Sequence, residues 1–333
     1  MAEDKGKKGR LLFLERYLYE NADEDHPVTR EQIQKAYEKY GYTVSKNTFT
    51  DDFKTLQEEG VVISKKPNSK PEAYYIERTF DKAEIRALID AVSFAQFFTV
   101  KKSDQLIRKI SKLAAKPSRR SLTANVYAMG RRKTGNSSVN TAINTILTAI
   151  RDKRQVSFLY TDYNENKKIT YRNGQQRYKV SPYALILDNN RYYVPAYNPA
   201  RDKVVNFRID RMRSVIEEED AAEKKADFDF EEYTRYSIGM YSGDGPERNV
   251  ALESEKWHMT SIVDFFGEDV ETVYDKNTEK IKAYVKVKPG RTFYSWVMGF
   301  AGEMAILGPE DVKQEYEKML SDLLKAQGNR EIG

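Results

Sequence analysis

The groups in this chain that could do chemistry are cations, amides and aromatic rings, not nucleophiles or metal ligands. Between Ser45 and Leu56 the sequence reads Ser-Lys-Asn-Thr-Phe-Thr-Asp-Asp-Phe-Lys-Thr-Leu. Phe49, Phe53 and Leu56 recur at helical spacing, which puts Lys46, Asn47, Thr50 and Lys54 on the opposite, exposed face of one helix. Thr48, in the first turn of that helix, joins them as a candidate. Asparagine can bond an adenine edge through both amide groups, and lysine can reach guanine or a phosphate. A helix so equipped fits the ~12 Å major groove of duplex DNA. Lys65, Lys66 and Lys70 in the turn-rich stretch that follows, and Lys5, Lys7, Lys8 and Arg10 near the N-terminus, are candidates for neutralising phosphates.

Enzymatic readings find little to stand on. The two histidines, His26 beside Pro27 and His258 beside Trp257, belong to no ligand-spaced cluster. Zero cysteines exclude disulfide frameworks, thiolate nucleophiles and Cys-ligated zinc. No glycine loop of the G-x-G-x-x-G or G-x-x-x-x-G-K-[ST] kind is present to cradle a phosphate. We therefore expect a protein that is not an enzyme, with no catalytic residues, no metal and no cofactor. The acidic run Glu217 to Asp220 reads as a solvated linker.

The elements that must position these residues follow from periodicity and punctuation. Leu11, Leu14 and Leu18 mark a first helix, and Asn21 to Pro27 is a polar break. Thr29-Arg30-Glu31-Gln32 has capping-box spacing before a second helix, which buries Ile33, Ala36, Tyr37 and Tyr40 and stops at Gly41. Ser45 caps the third helix and Gly60 ends it. Val61 to Ile63 and Ala73 to Ile76 read as two strands, so residues 1–80 have the order of a winged helix-turn-helix. Residues 81–138 predict two helices, carried by Ile85, Leu88, Ile89, Val92 and by Leu106, Ile110, Leu113, that could relay a ligand-induced change or form a dimer, then a basic linker with Gly130 and Gly135. Residues 139–216 predict one helix, then strands at Val156 to Tyr160, Arg177 to Leu187, Arg191 to Tyr197 and Val204 to Ile209: a small barrel. Residues 217–333 open with an acidic, loop-like stretch that includes the turn Gly243 to Pro246. They continue in β-α-β-β-α-β order with a closing helix after Pro309, the split βαβ of ferredoxin-like folds. The fold class is thus α+β and multidomain.

Charge is unevenly spread. Residues 1–80 carry 14 Lys and Arg against 15 Asp and Glu, residues 81–138 carry 13 against 4, residues 139–216 carry 14 against 6, and the remainder 15 against 26. A basic centre suits a polyanionic partner, while attraction between the basic and acidic parts is the alternative. With no apolar run near the ~20 residues of a membrane span, and a charged N-terminus unlike a secretion signal, a cytoplasmic protein with no membrane partner is expected.

Several motifs resemble the WYL-domain regulators of bacteria. Val156 to Tyr160 is similar to that family's first strand, and Ser181-Pro182-Tyr183 with Leu185 to its P-x-x-L strand. Tyr192 to Tyr197 falls on the naming Trp-Tyr-Leu motif, with Tyr192 for Trp and Val194 for Leu, and Phe207 to Arg211 on the F/Y-R-x-D-R strand. The helix from Ser45 to Leu56 resembles the recognition helix that these regulators share with the DeoR-like group, although Asn47 and Asp51 stand where arginines are usual. The C-terminal part looks like the extension that usually follows a WYL domain. The resemblance implies an Sm-like β-barrel, a homodimer and effector-controlled binding of double-stranded DNA.

The resemblance also places Tyr160, Tyr193, Arg208 and Arg211 at ligand-facing positions, with Lys179 and Ser181 as additions. Tyrosine rings can stack on a base while guanidinium forks hold phosphate, which makes a nucleotide or single-stranded nucleic acid the expected effector. Alternating aromatics in short strands also serve as core, which leaves Tyr193 open. Arg208 and Arg211 lie on opposite faces of a continuous strand, so one alone faces a pocket unless the strand ends there, and Asp210 can pair with either. Two other functions fit the same features: a single-stranded nucleic-acid (RNA) binding accessory protein with the winged helix as a docking domain, and a protein-binding scaffold.

Overall fold

Local signals in the first 80 residues build a small helical body with a hairpin. The computed structural model describes residues 6–124, 133–226, 228–230, 233 and 246–328; Lys5, Gly130 and the turn positions 243–245 lie outside them. Helix α1 (Lys7–Asn21) buries Phe13, Leu14 and Leu18. Helix α2 (Arg30–Lys39) starts in a complete capping box, with Thr29 Oγ1 accepting from the Gln32 amide and Gln32 Oε1 accepting from the Thr29 amide. Helix α3 (Lys46–Glu58) is capped by Ser45, whose hydroxyl accepts from the Thr48 amide at 3.2 Å. Gly41 (φ 84°) and Gly60 (φ 89°) leave α2 and α3 through the left-handed region, where a side chain would be strained.

Strands β2 (Ile63–Lys65) and β3 (Ala73–Ile76) form the hairpin, and β1 (Val28–Thr29) adds to β3, giving the order β1-β3-β2. Two residues are too few to show alternation, so β1 leaves no periodic signal. The core joins Leu14, Leu18, Ile33 and Tyr37 to the rings of Phe13 and Tyr42. Three helices follow, one more than the sequence predicts: α4 (Lys82–Phe94), α5 (Val100–Ile110) and α6 (Lys116–Thr123). α6 falls in the stretch read as a basic linker. Pro117 sits in its first turn, where a missing N–H costs nothing, and Ser118 and Leu122 are its buried side.

The chain divides into two units, Met1–Asn140 and Thr141–Gly333. The second opens in α7 (Val139–Arg151), followed by β4 (Arg154–Tyr163), β5 (Ile169–Tyr171), β6 (Tyr178–Pro182), β7 (Ile186–Asp188), β8 (Arg191–Asn198), β9 (Lys203–Arg208) and β10 (Met212–Ala221). They pair antiparallel in the order β10-β4-β6-β8-β7, with β5 on β4 and β9 on β8. β4 and β9 are three steps apart along this sheet, roughly 14 Å if it were flat. Yet the Phe158 and Phe207 rings lie 5.0 Å apart, so the sheet curls around an aromatic core that includes Tyr160 and Tyr178.

Two expectations for this region need correction. The run predicted as one strand from Arg177 to Leu187 is two, β6 and β7, with β6 ending at Pro182. Glu217 to Asp220 is no linker: it belongs to β10, with Glu217 opposite Val156 and two register shifts along the β4 pairing. Glutamate has low strand propensity, but charged side chains suit an edge strand, where they discourage further pairing.

The last part has β11 (Arg248–Glu255), α8 (Met259–Phe266), β12 (Glu271–Asp275), β13 (Lys280–Val287), α9 (Arg291–Met298), β14 (Met304–Gly308) and α10 (Glu310–Gly328). The antiparallel order β12-β13-β11-β14 is that of a split βαβ, with Val250, Leu252, Ile262, Val285, Phe293 and Val297 in its core.

Candidate functional site

Two surfaces collect the chemistry-bearing side chains. On the first, α3 turns Phe49 and Leu56 inward and leaves Lys46, Asn47, Thr50 and Lys54 exposed. Thr48 is half-buried and spent on the helix start, its hydroxyl 2.8 Å from that of Ser45. Thr50 donates to the Lys46 carbonyl at 3.3 Å, and Lys54 lies 3.7 Å from Glu58, an exposed pair worth little. Arg30, which the sequence reading overlooked, fixes the first turn of α3. It donates to the Lys46 carbonyl at 2.9 Å and lies over the Phe49 ring at 4.5 Å.

The supporting cations are less free than their sequence suggests. Lys65 lies 3.2 Å from Glu72 and Lys66 3.7 Å from Glu24, whereas Lys70 is exposed and has no carboxylate partner among the described residues. Arg10 is removed from the phosphate candidates altogether. It holds both oxygens of the fully buried Asp52, at 2.7 and 3.0 Å, and Tyr37 donates to the same carboxylate at 3.2 Å. Burial, foremost, and the Asp52 charge push the Tyr37 hydroxyl well above its ordinary range.

The second surface is a pocket of about 190 Å³ inside the curled sheet. Tyr160, Tyr178 and Phe207 supply its apolar wall, and Arg172, Arg201, Arg208 and Arg211 its cations. β9 ends at Arg208 and the chain turns through a 3₁₀ segment, Ile209–Arg211. That turn undoes the alternation of a strand, so Arg208 and Arg211 both reach the pocket. Asp210 pairs with Arg208 (3.0 and 2.7 Å) and also with Arg191 (3.0 Å). Burial alone would raise the Asp210 pKa, but the Arg208, Arg191 and Arg211 guanidiniums outweigh it and hold the carboxylate below its usual range.

Asp162 plays the matching part for Arg172, through hydrogen bonds that include one of 3.0 Å from Nε, and for Arg211 at 3.5 Å. The bond from Arg172 is the main reason its carboxyl also lies low. Tyr160 accepts the Arg208 amide at 3.1 Å, and burial raises its pKa. Arg172 and Arg201 lie over the Tyr160 and Tyr178 rings at 5.7 and 5.9 Å. Four arginines around two aspartates leave the pocket cationic, and Arg201 has no carboxylate partner among the described residues.

Of the residues expected here, Tyr160, Arg208 and Arg211 come together. Tyr193 is buried opposite Arg208 in the β8–β9 ladder, beside the pocket but outside its wall. Lys179 is on the outer side of β6 and pairs with Asp220 at 2.7 Å. Ser181 is buried and accepts the Glu223 amide at 2.8 Å. Neither reaches the pocket, because their side chains are spent elsewhere. Sequence reasoning does not single out Arg172, Tyr178 and Arg201: the two arginines sit on turns that carry no periodic signal, with the basic charge of residues 139–216 as their only trace, and Tyr178 falls inside the strand predicted from Arg177.

Among the described residues no group of His, Cys, Asp or Glu is arranged to hold a metal ion, and no helix is long and apolar enough to cross a membrane. No curated protein matches the chain. Among solved structures, one titled proteasome accessory factor B/C (PafBC) of Arthrobacter aurescens is 18% identical and covers 99% of this chain and 50% of its own, with a TM-score of 0.27. A second, titled a CRISPR Cas-related protein, is 12% identical and covers 75% of this chain and 80% of its own, also at a TM-score of 0.27. The chain therefore spans half the length of the PafBC chain. Residues 141–217 match the WYL domain family model, a span that contains every residue lining the arginine pocket, so the chain carries a WYL domain there.

Proposed function

We propose that this chain is a transcription regulator: residues 1–80 form a DNA-reading winged helix-turn-helix of DeoR-like type, and the WYL domain takes a nucleotide or single-stranded nucleic-acid effector. The observation that carries the effector reading is the pocket in which four arginines converge beside two tyrosines. Guanidinium forks grip phosphate with paired bonds, and tyrosine faces accept a base. At about 190 Å³ the pocket is below the ~300 Å³ of typical small-molecule sites, so it admits part of a nucleotide, and the remainder of the effector lies outside it. Residues 81–138 connect reader and sensor, the WYL domain occupies residues 139–216 as an Sm-like barrel, and residues 217–333 are its C-terminal extension. The regulator works as a cytoplasmic homodimer without catalysis, metal or cofactor. Effector binding shifts DNA affinity because the two arrangements of the dimer bind the effector unequally.

The test is titration of the full chain with a fluorescent pentanucleotide and with nucleoside diphosphates, using Arg208→Gln and Lys179→Gln. Losing a charge-assisted pair costs about 1.5 to 3 kcal/mol, roughly 10- to 150-fold in affinity. Arg208→Gln should therefore weaken binding to that extent, and Lys179→Gln should not. Equal binding by all three proteins would refute the pocket. Tight single-strand binding without any effect on duplex affinity would favour an RNA-binding accessory role.

A further inference from the structure

We infer that the exposed basic face of α5, together with Arg120 of α6, grips the sugar–phosphate backbone of duplex DNA outside the base pairs that α3 reads. The inference rests on the proposal that α3 reads duplex DNA, and it answers a shortfall in that proposal. Residues 1–80 carry a net charge of −1, whereas phosphate neutralisation supplies most of the non-specific affinity for DNA. Arg10 is committed to the buried Asp52, and Lys35, Lys54, Lys65 and Lys66 each have a carboxylate within 4 Å that offsets part of their charge.

The α5–α6 segment has the opposite character. Residues 100–123 hold eight Lys and Arg against Asp104 alone. Lys101, Arg108, Lys109, Lys112 and Arg120 are all exposed, and none has a carboxylate partner among the described residues. Lys101 and Arg108 are seven residues apart on one face of α5, and Lys112 continues the basic run in the 3₁₀ turn Ser111–Leu113 that directly follows. Eleven residues at 1.5 Å rise make a stripe of roughly 17 Å. Each DNA strand carries a phosphate per ~3.4 Å of axis, so the stripe passes about five of them. Clustered unpaired cations repel one another, and a polyanion relieves that repulsion.

The stripe is also held in place within its unit. Arg78, between β3 and α4, donates to the carbonyls of Leu113 (2.6 Å), Ala22 (3.2 Å) and Tyr19. Ser118 of α6 donates to Asp23 at 2.6 Å, and Lys116 lies 2.6 Å from Glu20 of α1. The end of α1 and the loop after it take the bonds from Arg78, Ser118 and Lys116, apart from the one to Leu113, and that loop also carries Glu24, the partner of Lys66 in the hairpin. These bonds tie the basic helices to α1, so the stripe moves with the reading module.

The test is fluorescence anisotropy of the full chain on a labelled 30-bp duplex of random sequence, from 50 to 300 mM KCl. The variants are the triple Lys101→Gln, Arg108→Gln, Lys112→Gln; the independent pair Lys109→Gln, Arg120→Gln; and Lys54→Ala on α3. Two or three lost phosphate contacts lower the log–log salt slope by about 2 to 3, which is roughly 60- to 500-fold in affinity at 0.1 M salt. We expect that change in the triple and part of it in the pair. If both leave slope and affinity unchanged while Lys54→Ala weakens binding, the α5 assignment is overturned and the α3 reading survives. A loss confined to the basic variants keeps α5 as a DNA surface and removes α3 as the reader. An unaltered chain that ignores the duplex at 50 mM KCl, whether or not it binds single strands or anionic vesicles, overturns both.

Discussion

Replacing Arg10 by methionine should unfasten α3 from α1. Asp52 has no solvent exposure, and the bonds at 2.7 and 3.0 Å from Arg10 supply its counter-charge. Methionine keeps most of the apolar stem, so the substitution isolates the charge. Stripping one partner from a buried ion pair costs about 3 to 5 kcal/mol, because the remaining charge is neither solvated nor paired. Tyr37 keeps one hydrogen bond to Asp52, which favours the lower end. Against a typical total of about 5 to 15 kcal/mol, that loss is large. Urea unfolding of the full chain, read by hydrogen exchange in peptides from α1 and α3, measures it where it acts. The double variant Arg10→Met, Asp52→Leu removes both charges and should recover most of the loss, since an apolar pair of similar volume tolerates burial. A single-variant cost under about 1 kcal/mol, or a double variant no more stable than the single, would refute the reasoning. A shallower DNA salt slope at unchanged stability would return Arg10 to the phosphate contacts.

Two further predictions concern the elements that hold α3 and the first unit together. Burial opposes ionisation of Asp23, but bonds from Ser118 and His26 and the charge of Lys82 prevail and hold its pKa at about 2, against 3.8 for a free carboxyl. A folded value below the unfolded one means the stabilisation is complete above about pH 4 and lost as pH falls through about 2, on the order of 2 kcal/mol. Asp23→Asn should remove that part of the acid dependence of the first unit; parallel stability–pH curves for the two proteins would contradict the assignment. Ser45→Ala deletes the α3 cap and should cost about 1 kcal/mol, while Ser45→Asp restores it. Hydrogen exchange in the first turn of α3 reads the difference, and unchanged protection in Ser45→Ala would count against the cap.

The parts of the fold that were legible are those with a local cause. Thr29, Ser45, Gly41 and Gly60 mark helix ends through a hydroxyl acceptor or a left-handed φ, and each of these is a property of one residue and its immediate neighbours. The misses have non-local causes. Glu217 to Asp220 become strand because β4 offers an edge to pair with, and nothing within the acidic run announces that partner. α6 exists because Ser118 and Leu122 have somewhere to bury, while its composition reads as linker.

The same distinction governs the site. Residue types locate the cations along the chain, but whether a cation is available depends on a carboxylate that arrives from elsewhere in the chain. Asp52 claims Arg10 from 42 residues away, Glu72 and Glu24 claim the wing lysines, and Asp220 claims Lys179. Arg208 and Arg211 show the converse. Their pairing with Asp210 and Asp162 does not withdraw them from the pocket, because those acids are outnumbered by arginines and hold the guanidiniums at its wall. Net charge per segment therefore indicates which region would suit a polyanion, and the ion-pair geometry indicates which side chains would be available to it. By that criterion Lys101, Arg108 and Lys109 of α5 are among the available cations of the first unit, on a helix that lies in the basic centre of the sequence.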